Sequence, residues 1–508
     1  MKPHKPLRDV AIVGAGPVGS ALATLLACQG LHVLLIEQSE TVFALPRAAH
    51  IDHMGLRTLQ QIGLLDELLP GMIPNPGLEF RSGDGVPLMR IPGDQGSISG
   101  LPASMYFHQP TLDTALRRRA LEHPNISARI PARLVSIEQS DEGVVLGLEG
   151  EGGVSMTEQA RWLVGCDGAS STVRESAGLE LQSYDFDEHW LVVDLNLPES
   201  IDCLPSHAVH VCDPARPHTA IPMPGNRYRF ELQLRADEDP VEVQQPASVA
   251  HLLSDWLDIS QVDVERAATY TFHGLVARSW RRGRVLIAGD AAHQMPPFLG
   301  QGMCSGLRDA VNLAWKLALV VRENLTGPAA DALLDSYVEE RREHVAAITT
   351  AVVDFGAVIS TQDVDKARAR DEAYAVDPRP IEQRMPFSLP HLAPGRLVLE
   401  GGGRLFGQAA AEPDEPRLDD LIGSRFLVVA ASEADIPDRD WWQDVAGAHV
   451  AVVGDGLADA FFESALARAN AHVIVVRPDR YVLSSGASAE SARDTLEGIL
   501  SRADLAEV

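Results

Sequence analysis

The sequence predicts an α/β fold: a dinucleotide-binding parallel sheet, β-rich insertions within it, and a smaller α/β unit at the C-terminal end. Three observations carry this. The apolar, β-branched run Val10-Ala11-Ile12-Val13 leads directly into Gly14-Ala15-Gly16-Pro17-Val18-Gly19 and an apolar helical stretch. A second buried run, Arg284-Val285-Leu286-Ile287-Ala288, ends in Gly289-Asp290-Ala291-Ala292-His293 and continues to Gly300-Gln301-Gly302. Further on, apolar runs at 426–429, 449–453 and 472–476 alternate with polar or helical segments. Short apolar runs bounded by turn residues are what strands covered on both faces look like.

The first element is a phosphate cradle. Gly14 permits the tight turn, Gly16 lets a pyrophosphate approach the backbone, and Gly19 lets the helix opened by Pro17 pack on the strand. The free N–H groups at that helix start then face the phosphates, and the helix dipole favours their charge. A second strand, His32-Val33-Leu34-Leu35-Ile36, ends in Glu37 and Gln38. Glu37 stands roughly 20 residues beyond the glycines, the spacing of a ribose-hydroxyl acceptor in a Rossmann-like unit. This cradle alone does not separate FAD from NAD.

The second glycine segment does. Gly289 and Asp290 sit at the C-terminal end of a strand, where α/β folds place ligands. A carboxylate there suits a sugar-alcohol chain, because it accepts hydrogen bonds from hydroxyls; the ordinary alternative is an N-cap acid. Pro296-Pro297 stiffens the next turn. Gly300, Gln301, Gly302 and Met303 open a helix carried by Leu307, Val311, Leu313, Ala314 and Leu317. Its N–H groups would stabilise negative charge on a reduced flavin. His293 reads as a structural histidine bonded to a neighbouring loop.

Between the glycine segments, 70–105 and 181–272 read as insertions into a domain spanning 1–360. The alternation in Tyr228-Arg229-Phe230-Glu231-Leu232 suits a sheet with one covered face. Arg216, His218, Arg227 and Arg229 are candidates for an acidic substrate tail, although surface or sheet-edge positions are the more ordinary use. The charge- and proline-rich 361–395 reads as a linker, and 396–508 as the C-terminal domain. Gly454-Asp455-Gly456 is read as a turn, since Asp459 replaces the third glycine of a cradle.

Bulk properties narrow the function classes. A chain of 508 residues holds two or three domains. The net charge of −28 argues against nucleic-acid or anionic-membrane binding. No apolar run reaches about 18 residues, so no membrane span is expected. The first strand begins too early for a signal peptide. Cys28, Cys166, Cys203, Cys212 and Cys304 show no metal-type spacing and no paired framework, which suits reduced thiols in the cytoplasm and no metal.

The chain resembles the class A FAD-dependent aromatic hydroxylases, the group that includes p-hydroxybenzoate and phenol hydroxylases, and within it the hydroxyphenylpropionate hydroxylases. Four matches carry this: the Gly14–Gly19 cradle with Glu37; Pro46-Arg47-Ala48; Cys166-Asp167-Gly168-Ala169-Ser170-Ser171-Thr172-Val173-Arg174; and the Gly289–Gly302 segment. The resemblance implies FAD contacts at Arg47 and Gln109, and a flavin and nicotinamide role for Asp167-Gly168. It implies NADH or NADPH as transient electron donor, dioxygen as co-substrate, and a phenolic substrate hydroxylated through a flavin C4a-hydroperoxide beneath a β-sheet lid. The resemblance also makes Pro297 a candidate for catalysis and for cofactor contact. Oxygenation of a polyketide or antibiotic, and a flavin dehydrogenase making no oxygenated product, remain alternatives.

Leu56-Arg57-Thr58-Leu59 is similar to phenol hydroxylase, where the acid five residues before the arginine touches substrate; Asp52 occupies that position. A carboxylate there can take the phenolic proton if its pKa is raised. Asp52 is equally well placed to cap the helix that follows. His53 is a second candidate for the proton. The C-terminal region resembles the thioredoxin-like domain of phenol-hydroxylase relatives without its redox cysteines. It is expected to be structural or a homodimer contact, and dispensable for flavin reduction though not necessarily for assembly.

Overall fold

The computed structural model describes residues 7–500 except 46, 94–95, 199–203, 385–387, 410–415, 455 and 457. Pro46, Cys203 and Asp455 thus lie outside the described residues. The first strand, Arg8–Val13, is parallel to Val33–Ile36 on one side and to Ser155–Gly165 on the other. Val285–Ile287 and Ile126–Arg129 extend this parallel core at its two edges. Val10, Ala11 and Ile12 are fully buried, which is why the strand carries no alternation. The cradle helix Pro17–Cys28 and the long helix Gln301–Arg322 pack against each other over this sheet.

The two insertions converge on one second sheet. Its strands run in the order Pro87–Pro92, Gly77–Ser82, Ala208–Cys212, His218–Met223, Arg227–Gln233, Leu181–Asn196, Asp263–Ala277 and His293–Gln294. The insertion boundaries differ slightly from those expected. The last long strand continues to Ala277, while Ser104–Tyr106 leaves this sheet to pair with His50–Asp52 and Ile73–Pro74.

The expected linker is partly a helix, Val364–Ala375, capped by Asp363, whose carboxylate accepts from the N–H groups of Asp365 and Lys366. Arg370 ties this helix to the sheet, donating to the Cys212 carbonyl at 2.7 Å. Only Ala367 and Arg370 are buried on it, so it has no apolar stripe to reveal it in the sequence.

The C-terminal unit holds a mixed sheet in the order His449–Val452, Leu427–Ala430, Val473–Val476, Val482–Gly486, with only the first pair parallel. Helices Asp459–Ala469 and Glu490–Leu500 accompany it. Asp459 accepts the N–H groups of Gly454 and Gly456 at 3.0 and 3.1 Å, so its carboxylate is spent on the backbone of this segment. The unit is joined to the first domain by buried charges. Arg57 donates to Asp419 at 2.8 Å, and Arg480 pairs with the same carboxylate at 3.0 Å. Glu340 receives both Arg477 at 2.7 Å and Lys316 at 2.8 Å.

Candidate functional site

A cavity of about 720 Å³ lies between the glycine segments of the parallel sheet and the inner face of the second sheet. Its cradle wall is defined by backbone. Gly14 has φ +101°, and a Cβ there would sit 2.3 Å from the Cys166 carbonyl oxygen. A Cβ on Gly19 would come within 1.9 Å of the Gly14 oxygen, so both glycines serve close packing. Gly16 is different: a Cβ there would meet nothing within 4 Å, and the residue lines the cavity together with Pro17. The backbone at Gly16 therefore faces open space in the cavity. Glu37 fastens the turn from behind, accepting Ala15 N–H and Ser39 N–H, both at 2.8 Å. Glu37 does not itself line the cavity, and Gln38 is exposed beyond it.

Opposite the cradle, Asp290 is exposed and lines the cavity. Gly289 is buried behind it, with its N–H given to Asp309 at 3.1 Å. Asp309 also binds His293 Nε2 at 2.7 Å and Arg341 at 2.8 Å, and His293 stacks on Trp280. Burial opposes ionisation of Asp309, yet His293 and Arg341 hold its pKa below the ordinary value. His293 is thus part of a closed structural cluster that anchors the Gly289 turn. Pro297 begins a single turn of 3-10 helix, and Gly300, left-handed at φ 61°, caps Gln301–Arg322. Pro297, Gly300, Gln301, Gly302 and Met303 all line the cavity. The first N–H groups of this helix have no intrahelical acceptor and sit at the cavity wall.

Gln109, the first residue of helix Gln109–Glu122, orders the Arg47 segment. Its Oε1 accepts the N–H groups of Arg47 and Ala48, both at 2.6 Å. Arg47 is exposed at the cavity edge. Asp167 turns away from the cavity: it accepts the N–H of Val173 at 3.0 Å and the hydroxyl of Ser171, fastening the turn into helix Thr172–Ser176. Gly168 beside it lines the cavity.

For Asp52 the cap is what the structure holds. Oδ1 accepts the N–H groups of Met54 and Gly55 at 3.1 and 2.9 Å, and Oδ2 receives Arg308 at 2.6 Å. Burial works against the charge, but Arg308, His53, the Gly55 N–H and His50 overcome it and hold the carboxyl far below the usual range. A group so held is a weak proton acceptor, although it does line the cavity. His53 lines the cavity too and binds the Ser99 hydroxyl at 2.9 Å; burial lowers its pKa despite Asp52.

The lid face carries Ala208, His210, Thr219, Ile221, Arg229 and Glu231 from three neighbouring strands, with Tyr270 and Phe272 beside them. None of the four candidates for an acidic tail is free. Arg216 pairs with Glu238, Arg227 with Glu265, and His218 lies between the Arg216 carbonyl and Trp256. Arg229 is buried against Asp194 at 2.7 Å and donates to the Arg47 carbonyl at 2.6 Å. Arg308, Asp309 and Glu231 were not singled out from sequence. Arg308 meets its acid partner 256 positions away, and no local pattern records that.

The family model described as FAD binding domain matches residues 8–352. The chain is 36% identical over 423 residues to the probable NADH-specific resorcinol 4-hydroxylase of Rhodococcus jostii strain RHA1, covering 83% of this chain and 79% of that protein. It is 33% identical over 518 residues to a 3-(3-hydroxy-phenyl)propionate/3-hydroxycinnamic acid hydroxylase of Escherichia coli strain SMS-3-5, covering 94% and 91%. Among solved structures, a ternary complex of aklavinone-11 hydroxylase with FAD and aklavinone aligns over 99% of both chains, with a TM-score of 0.79 and 24% identity. That last likeness speaks to the fold.

Proposed function

Since the chain belongs to the FAD binding domain family, we propose that it is an FAD-dependent, NADH-consuming monooxygenase that hydroxylates a phenolic ring. The observation that supports this best is the cavity itself. One wall is a glycine cradle with open space at Gly16, and the facing sheet sets Ile221, Tyr270 and Phe272 beside the polar His210, Thr219, Arg229 and Glu231. Relatives named as hydroxylases of resorcinol and of hydroxyphenylpropionate agree with it, and the first of these is named as NADH-specific.

The residues present fit FAD. The N–H groups at the start of helix Pro17–Cys28 would hold the pyrophosphate, with Glu37 fastening the cradle turn from behind. Asp290 would accept from the sugar-alcohol hydroxyls, and Arg47, positioned by Gln109, would supply positive charge at the cavity edge. FAD bound there supplies the electron-accepting ring that NADH reduces and that activates dioxygen. The chain's own work is to hold that ring, to stabilise negative charge at the N-terminus of Gln301–Arg322, and to keep water from the reacting carbon beneath the lid. Asp167 fastens the turn that presents Gly168 to the cavity.

The test is turnover under labelled dioxygen. The purified protein should carry noncovalent FAD, and phenols should stimulate NADH oxidation with one labelled oxygen atom entering the product. A reduced product with no oxygen gained would assign a dehydrogenase or reductase. Turnover of polycyclic substrates alone would assign the polyketide reading.

A further inference from the structure

In Arg227–Gln233, residues 229 and 231 face the cavity, while Tyr228, Phe230 and Leu232 enter the core on the other face. The charges on the cavity side balance among themselves. Arg229 binds Asp194, Arg266 binds the second oxygen of Asp194 at 2.6 Å, and Glu231 stands 3.7 Å from Arg229. That is two guanidinium groups against two carboxylates. Arg229 has also given NH1 to the Arg47 carbonyl. His210 adds no charge: burial pulls it down to about 3, and its Nδ1 is bonded to Thr219 Oγ1 at 2.7 Å. His273, lining the same wall, is paired with Asp187. Arg47 belongs to the flavin wall.

Glu231 is the group with capacity left. It is buried and lines the cavity, yet among the described residues its carboxylate accepts no hydrogen bond, since Arg229 at 3.7 Å lies beyond hydrogen-bond reach. Burial raises its pKa, and the nearby Arg229 offsets this only in part. The carboxylate is open to the cavity, so its hydrogen-bonding capacity is available to a ligand there.

Resting on the hydroxylase reading, we propose that this wall is the binding site for the hydroxyl of an uncharged phenol, with Glu231 accepting its hydrogen bond, and that it rejects phenols bearing a carboxylate tail. A hydroxyl brings the donor that the cavity-facing oxygens of Glu231 lack among the described residues. A carboxylate tail would be stripped of water beside Glu231 and Asp194, while Arg229 and Arg266 are already paired. Ile221, Tyr270 and Phe272 supply apolar surface for the ring.

The test measures binding, by perturbation of the flavin spectrum, and labelled-oxygen incorporation, for resorcinol and meta-cresol as uncharged probes against meta-hydroxyphenylpropionate as the acid. The uncharged probes should bind at least about tenfold tighter and be hydroxylated. Glu231→Gln keeps the shape but removes the negative charge and adds an N–H donor. It should weaken the uncharged probes and narrow the ratio by about tenfold, with FAD occupancy as the check on folding. Hydroxylation of the acid as readily as of the uncharged probes would overturn the proposal and leave the hydroxylase reading standing. A ratio unmoved in Glu231→Gln would also overturn it. If no phenol of either charge is hydroxylated, the hydroxylase reading falls and this site falls with it.

Discussion

The cradle wall and the seam beneath the C-terminal unit both draw on helix Gln301–Arg322, and both are rich in buried polar groups, yet they differ in what is left unspent. At the seam each buried charge has a partner: Arg57 and Arg480 on Asp419, and Arg477 and Lys316 on Glu340, with Asp479 also on Arg477. Burial opposes each charge, yet Asp419 and Glu340 are both drawn down to about 2 by the cations beside them. Lys316 is instead pulled down to about 8, because burial outweighs its attraction to Glu340. At the cradle the helix N-termini keep N–H groups without intrahelical acceptors, Gly16 faces open space, and Asp290 stands exposed at the cavity. A ligand site is recognised by hydrogen-bonding capacity left beside space; the number of buried charges does not mark one.

The comparison breaks most visibly if the seam is removed. Ending the chain after residue 395 removes Asp419 together with the residues that cover Arg57, and strips away Val428, Val450, Val475 and Leu483, which share one apolar core with the first domain. Uncovering that apolar surface costs stability at about 25 cal/mol per Å² exposed, against the roughly 5–15 kcal/mol that a domain has. The packing of Trp315 on Phe426 is lost as well. The truncated protein is therefore expected to be insoluble or to unfold far below the full chain's temperature, read by soluble yield and thermal melting. A soluble, FAD-loaded truncation with an unchanged melt would show that the seam's contacts are idle, as the position of the cofactor motifs alone suggested.

The cradle answers to a smaller change. Gly19→Val drives a side chain into the Gly14 carbonyl and should cost about 3 kcal/mol with loss of FAD. Gly16→Ala has no such conflict, since its φ of −74° suits any residue and its Cβ would meet open space. It should melt like the wild type while binding FAD at least about tenfold more weakly, because the added methyl takes the room of the phosphate. Calorimetry with flavin titration separates the two effects. Full FAD affinity in Gly16→Ala would move the pyrophosphate elsewhere.

What the sequence made legible follows the same division. The cradle, the Asp290 turn and the Gly300 helix start are local: a few adjacent residues set the backbone, and glycine spacing records it. The C-terminal strands were legible as apolar runs for a similar reason. Contacts made across the fold left no such record. Arg57 and Asp419 are 362 positions apart, and Arg229 finds Asp194 only through strand register. Gln109 was reached through the resemblance, while its hold on the Arg47 backbone, 62 positions away, is tertiary. The helix in the expected linker was missed because its buried face consists of one alanine and one arginine.

Asp52 stands between the two regions and gives the finest test. It lines the cavity, while its partner Arg308 borders a small hollow at the seam with Arg57, Asp479 and Tyr481. Asp52→Asn keeps an oxygen for the Met54 and Gly55 N–H groups but leaves Arg308, among the described residues, with Gln301 and Ser305 as hydrogen-bond partners and no carboxylate. If Asp52 serves structure, the variant should lose about 3 kcal/mol at pH 7 and still hydroxylate with wild-type coupling. The pH dependence has a definite sign. A carboxyl held below its unfolded value of 3.8 stabilises the fold above that pH and loses the effect as pH falls through it. The stability gap between wild type and variant should therefore narrow by about 1 kcal/mol between pH 7 and pH 3, as measured by denaturant melts. Equal stability at pH 7, accompanied by NADH oxidation that yields peroxide in place of product, would return Asp52 to the substrate as the group that takes its proton.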